Sequence, residues 1–194
     1  MSNGKLNCVY HFDGKAEVEE YVRSLGIPAT FFMAGIYMSN FPGVFFKPAP
    51  PNDAWTLGLP MKPSSPMPIF SVEETGKYVK AIILNREKLL GERFLAATNY
   101  LTAQEMVDEF KELFPKAGKT AQYFEVPEAM FRDAMKSQGS PEYVIDEMFE
   151  NLRLFEEFGY FGGASLDETH KLVTEPLTSW KKYAKTAGGF KGLE

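Results

Sequence analysis

Two rhythms of hydrophobic and polar positions run along this chain. Over residues 13–25, Val18, Tyr21, Val22 and Leu25 recur in steps of three and four, the spacing of one buried helix face. Asp13 stands where a helix start takes a capping side chain. Glu17, Glu19 and Glu20 suit the positive end of the helix dipole, and Gly26 marks the stop. After Ile27 and Pro28 comes a largely apolar run, Ala29 to Gly35 with Phe31, Phe32 and Met33 at its centre. Such a run predicts a strand buried on both faces, as in a parallel sheet. Helix, short turn and buried strand make half of a βαβ unit, and residues 1–12 offer at most one short strand to complete it.

Residues 42–68 interrupt the rhythm, with eight of the chain's thirteen prolines. They predict a loop-rich excursion with at most a short strand around residues 55–57, and a loop of that length in a compact domain favours binding. Beyond it the alternation is regular. Ser71 and Glu74 form the pattern of a capping box that opens a helix to about residue 84, with Val72, Gly76, Val79 and Ile83 inward. Residues 94–97 read as a strand. Thr102 and Glu105 form a second capping box, for a helix to residue 114 that buries Met106, Val107, Phe110 and Leu113. Residues 123–126 read as another strand, and Pro127 starts a helix to about residue 136. Ser140 and Pro141 open the longest helix, to about residue 159, with Val144, Met148, Leu152 and Phe155 on one face. A last helix begins at Thr178 and carries Trp180 and Tyr183.

Composition narrows the classes. The 194 residues are 44 % hydrophobic and 24 % charged, with 17 Phe and 9 Tyr, which is material for one packed domain or a compact two-lobed one. A formal charge of -5 without any basic run argues against direct nucleic-acid binding. Cys8 is the only cysteine, so no intrachain disulfide can form and a reducing compartment, cytoplasm or nucleus, is expected. No run approaches eighteen apolar residues, so no membrane span is expected, and residues 1–5 lack the apolar core of a secretory signal.

Few residues carry chemical promise. Ala117-Gly118-Lys119-Thr120 ends like a phosphate-binding loop, but the earlier glycine would fall on Leu113, which leaves a surface turn. Gly159, Gly162 and Gly163 follow a helix rather than a strand and read as a helix stop with a tight loop. His11 and His170 have no second His or Cys at ligand spacing, so no metal site is expected. No nucleophile with a neighbouring base is legible. The spacing His11-x-x-x-Lys15 at a helix start stands out, because a lysine beside a pocket can hold ribose hydroxyls or act as a base.

Taken with its surroundings, that segment resembles the NmrA-like family, atypical members of the short-chain dehydrogenase/reductase superfamily, and most closely its fungal branch. The resemblance runs through His11-Phe12-Asp13-Gly14-Lys15, Leu25 to Phe31, Gly35 to Phe41, Ser71 to Val79, Gly91 to Thr98 and Phe158 to Gly163. It implies the C-terminal part of an NAD(P)-binding Rossmann-type α/β fold with a mostly helical substrate lobe. Residues 1–41 would be the remnant of the Rossmann-type domain, and residues 42–194 the lobe for substrate or partner. By the same resemblance His11 and Lys15 stand where ordinary members carry Tyr-x-x-x-Lys and are the implied catalytic pair. Lys15, Tyr37, Met38, Ser39 and Asn40 are the implied contacts for NADP(H). Met33-Ala34-Gly35 replaces the family's frequent Arg-Pro-Gly. No Gly-x-x-Gly-x-x-Gly turn precedes them, which implies a truncated protein impaired in cofactor binding on its own. The functions implied are an NAD(P)-linked redox-sensing regulator or a small-molecule reductase. A non-enzymatic binding module that works by association, with itself or with a protein partner, is the alternative.

Overall fold

The computed structural model describes residues 2–194, and among these the two rhythms become eight α-helices and eight strands. Helix α1 (Tyr10–Ser24) leads into β1 (Phe31–Ala34) and the two-residue β2 (Ile36–Tyr37). The proline-rich segment then forms β3 (Phe46–Ala49), β4 (Ala54–Leu59) and β5 (Pro66–Phe70). After α2 (Thr75–Leu84) and the single turn α3 (Arg86–Leu89) come β6 (Arg93–Ala96), β7 (Asn99–Thr102), α4 (Ala103–Leu113) and β8 (Gln122–Glu125). Helices α5 (Glu128–Ser137), α6 (Glu142–Phe158), α7 (Asp167–Leu172) and α8 (Trp180–Thr186) complete the chain.

The strands form three small sheets, β1-β6, β2-β5-β7 and β3-β4-β8. Pairing is parallel for β1 with β6, β2 with β5, and β4 with β8, and antiparallel for β3 with β4 and β5 with β7. About half of the segment read as loop is therefore sheet. Its prolines are tolerated because β2 reaches only Ile69 and Phe70 of β5, so no strand on that side needs an N–H from Pro66 or Pro68. Gly35, between β1 and β2, permits a close crossing: a Cβ there would lie 2.2 Å from the Pro68 carbonyl oxygen.

The main core gathers the aromatic residues of β3, α4 and the C-terminal segment. Phe46, Phe110, Trp180 and Phe190 are all at most 2 % exposed, with the Phe46 and Phe110 rings 4.5 Å apart. Burial of each such side chain stabilises by roughly 1.5–3 kcal/mol. The indole N–H of Trp180 donates to the Met106 carbonyl at 3.2 Å, which ties α8 to α4. The expected capping box on α4 is present, Thr102 and Glu105 each serving the other's backbone.

Three expected faces differ. Val18 and Tyr21 of α1 and Leu25 at its C-terminal cap are 63 %, 65 % and 55 % exposed, and the buried residue is Glu19 instead. A sheet of two strands covers too little of the helix, and α1 is held by an ion cluster: Glu19 accepts from Arg23 of its own helix and from Arg93 of β6. On α2 and the turn before it, Val72, Val79 and Ile83 face solvent, while Tyr78 and Ala81 pack on β6. Ser71 caps no helix there, because Val72–Glu74 forms a 3-10 turn first. Strand β1, expected to be buried on both faces, is half-buried along its length because β6 is its only strand neighbour among the described residues.

Candidate functional site

Helix α1 begins at Tyr10, and its start is not capped by Asp13 or by any side chain of its own. The first-turn N–H groups need acceptors, and α6 supplies them. Glu147 accepts from the His11 N–H at 2.8 Å and also contacts His11 Nδ1. One turn further along α6, Glu150 accepts from the N–H groups of Asn7 and Cys8 at 2.7 and 2.6 Å. Two carboxylates at i and i+3 thus clamp the entry to α1, and Glu147 does so while only 6 % exposed. The His11 ring itself is 64 % exposed.

Lys15, one turn on, donates to the His11 carbonyl at 3.1 Å on the surface. Both histidine and lysine therefore stand on one accessible side of the first turns of α1. From the same turn Phe12 reaches inward, its ring 5.3 Å from Tyr160 and 6.2 Å from Phe155.

Tyr160, in the loop after α6, connects α1 to the end of β1. Its hydroxyl donates to the Ala34 carbonyl at 3.0 Å, and its ring packs 5.0 Å from Phe161. Burial, with a smaller contribution from nearby Tyr37, pushes the Tyr160 phenol up to about 12. It therefore remains a protonated donor at neutral pH. Immediately beyond Ala34, Tyr37, Ser39 and Asn40 are exposed. Met38 is completely buried in the main core, backbone included, so the structure does not offer it as a surface contact. Gly159, at φ +75°, has the Gly163 N–H 3.0 Å from the place of a Cβ, so this turn needs glycine to bring Tyr160 into position.

The remaining sequence candidates have structural roles. His170 Nε2 pairs with the Ala97 carbonyl at 3.0 Å, which fastens α7 to the end of β6. Gly118, in a 3-10 turn over Ala117–Thr120, lies against α4, where a Cβ would meet Lys111 Cα at 2.6 Å. Cys8 is half-buried. No cluster of three His, Cys, Asp or Glu able to hold a metal occurs among the described residues, and no helix among them is long and apolar enough to cross a membrane.

Glu147 and Glu150 escaped the sequence reading, whereas Tyr160 lay within the block Phe158 to Gly163 that carried the resemblance, without its bond to Ala34 being legible. A signal for Glu147 existed: it sits between Val144 and Met148 on a stripe otherwise apolar, and a carboxylate there needs a partner. The partner, 136 residues away, leaves no local trace.

A model of the NmrA-like family matches residues 1–187. The nitrogen metabolite repression protein nmr of Neurospora crassa is 32 % identical over 103 residues, 50 % of this chain and 21 % of that protein. Among solved structures, Nmra, a negative transcriptional regulator, in complex with NADP superposes with a TM-score of 0.61 at 22 % identity, covering 87 % of this chain and 55 % of that one. A nucleoside-diphosphate-sugar epimerase of Staphylococcus aureus superposes with a TM-score of 0.64 at 15 % identity, covering 88 % and 56 %. The α/β architecture is thus of the Rossmann type shared by these proteins, and the chain spans about half the length of the structures it matches and about a fifth of the curated relative.

Proposed function

This chain belongs to the NmrA-like family, and from that membership we propose that it forms part of a nicotinamide-dinucleotide-responsive regulator that acts through a protein partner. Residues 1–41 would supply the nicotinamide side of the cofactor site, and residues 42–194 the lobe that meets substrate or partner, in cytoplasm or nucleus. The observation that carries the reading is the surface at the end of β1. There Tyr37, Ser39 and Asn40 stand exposed, and the Phe12–Tyr160 contact joins that loop to the helix of Lys15.

The fit to NADP(H) is partial. Lys15 can turn from the His11 carbonyl to ribose hydroxyls, and Ser39 and Asn40 offer donors beside the Tyr37 ring. Met38 is wholly buried in the core and offers nothing to the cofactor. A pyrophosphate needs a row of backbone N–H groups at a glycine turn that opens a helix, and the described residues contain no such turn after a strand. The 194-residue chain therefore binds NADP(H) weakly unless a cradle is supplied to it. The exposed side of α1 and the free edge of β1 are the surfaces on which such a supplement, or another copy of the chain, would sit.

Calorimetric titration with NADPH tests this. Weak binding, reduced a further tenfold by Lys15→Ala, is expected, since a charged hydrogen bond contributes roughly 1.5–3 kcal/mol. Micromolar or tighter affinity for the chain alone refutes the impaired cradle, and an unchanged affinity in Lys15→Ala leaves that lysine on a solvated helix face.

A second reading, a small-molecule reductase, is favoured by the Glu147–His11 contact. A carboxylate on Nδ1 with Nε2 turned outward is an arrangement suited to proton transfer. NADPH oxidation against a panel of carbonyl compounds, lost in His11→Ala, would select this reading over the regulator.

A further inference from the structure

The sheet β3-β4-β8 has two edges of unlike character. On the β3 side Lys47 and Pro48 guard the edge, the residues by which proteins discourage further strand pairing. On the other side β8 reads Gln122-Tyr123-Phe124-Glu125, without lysine or proline, and β4 is its only strand neighbour among the described residues. The side chains of a strand alternate between faces. Tyr123 packs against the main core, its hydroxyl donating to the Met61 carbonyl with the Leu59 carbonyl also within reach. Phe124, on the opposite face, is 41 % exposed.

Where β4 and β8 end, a cleft of ≈ 390 Å³ opens against α6. Pro60, Val126 and Phe149 are among its apolar lining residues, and four glutamates and one arginine line it as well. Three of these carboxylates have a basic partner: Glu156 with Lys62, Glu157 with Arg153, and Glu128 with Arg132. Glu125, the last residue of β8, has no ion-pair partner among the described residues. An unpaired carboxylate, apolar lining residues and an unguarded strand edge thus meet at one place.

We propose that the β8 edge and this cleft together dock an extended basic segment of a partner protein, one in which cationic and apolar side chains alternate. An added strand would take main-chain hydrogen bonds from β8, the mode by which sheet edges capture peptides. Because its side chains alternate, those on the Tyr123–Glu125 face meet the glutamates of the cleft and must be cationic. Those between them lie beside Phe124 and must be apolar. The site is remote in sequence from the NADP(H) contacts and does not depend on that reading. It stands or falls without any cofactor.

Fluorescence anisotropy on the full chain tests the proposal with a labelled eight-residue peptide of alternating Arg and Val. Saturable binding is expected. It should weaken at least tenfold for Glu125→Lys, for a peptide of the same composition with its four arginines in one block, and for a peptide N-methylated at alternate amides. Amide exchange at residues 122–126 should slow when the alternating peptide is added. Glu125 is exposed and unpaired, so its substitution leaves folding intact, and an unchanged unfolding curve verifies that. Equal binding of the blocked or N-methylated peptide reduces the effect to the chain's net charge and overturns the proposal. So does indifference to Glu125→Lys, or failure of the alternating peptide to bind.

Discussion

Glu147→Ala should loosen the start of α1 and lower the stability of the whole chain by about 2 kcal/mol. The carboxylate accepts the His11 N–H at 2.8 Å and touches the His11 ring, and α1 has no side-chain cap of its own. Removal of an N-terminal cap costs roughly 0.5–2 kcal/mol. The ring contact adds no more than about 1 kcal/mol, because an ion pair with one partner 64 % exposed is screened by water. For a domain of this size about 2 kcal/mol corresponds to a fall in Tm of roughly 4–8 °C. Thermal and urea unfolding of the parent, Glu147→Ala and Glu147→Gln measure it. Gln retains a carbonyl acceptor and should lose less than Ala. A double-mutant cycle with His11→Ala isolates the ring contribution, expected at about 1 kcal/mol or less, because the backbone bond survives in His11→Ala. A loss below about 0.5 kcal/mol for Glu147→Ala, in the range of ordinary surface substitutions, would refute the clamp.

Other consequences are open to measurement. Tyr160→Phe keeps the aromatic packing but removes the donor to the Ala34 carbonyl, so a loss of roughly 0.5–1.5 kcal/mol is expected in urea unfolding; a neutral result would mean that water replaces the bond. Gly35→Ala places a Cβ 2.2 Å from the Pro68 carbonyl oxygen and should cost roughly 1–3 kcal/mol by overpacking, read from the same curves, whereas the exposed and uncrowded Gly76→Ala should not destabilise. Burial raises the carboxyls of Glu19 and Glu74, but hydrogen bonds from Arg93 and Arg23 to the first, and from Lys77 and Thr178 to the second, outweigh it and hold both below the ordinary carboxylate value. A depressed folded-state pKa stabilises fully above the unfolded value and loses that stabilisation as pH falls through the folded one. Stability should therefore drop below about pH 4.5, and Glu19→Gln should show a shallower acid limb than the parent; an identical limb would remove Glu19 from the balance.

Local rules were enough wherever an element answers to its own residues. The capping box of Thr102 and Glu105 and the stripe Met106, Val107, Phe110 set both the start and the buried face of α4, since every partner lies within one or two turns or in the main core. The breaks at Gly26 and Gly159, the strands at residues 94–96 and 123–125, and the helix after Pro141 were legible for the same reason. The blocks around His11–Lys15 and Phe158–Gly163 identified the family, because their ordered recurrence depends only on residue identity.

Tertiary structure alone decided what depends on distant partners. Periodicity states that α1 has an apolar side; it cannot state how much sheet exists to cover it, and two strands leave Val18, Tyr21 and Leu25 in water. Prolines report lost N–H donors, not whether a neighbouring strand would have used them, so β3 and β5 were invisible. The carboxylates that cap α1, the phenol that holds the end of β1 and the acidic cleft beside β8 join residues separated by up to 143 positions. A hydrogen bond is specified by the approach of two groups in space, and no spacing along a single chain records that approach.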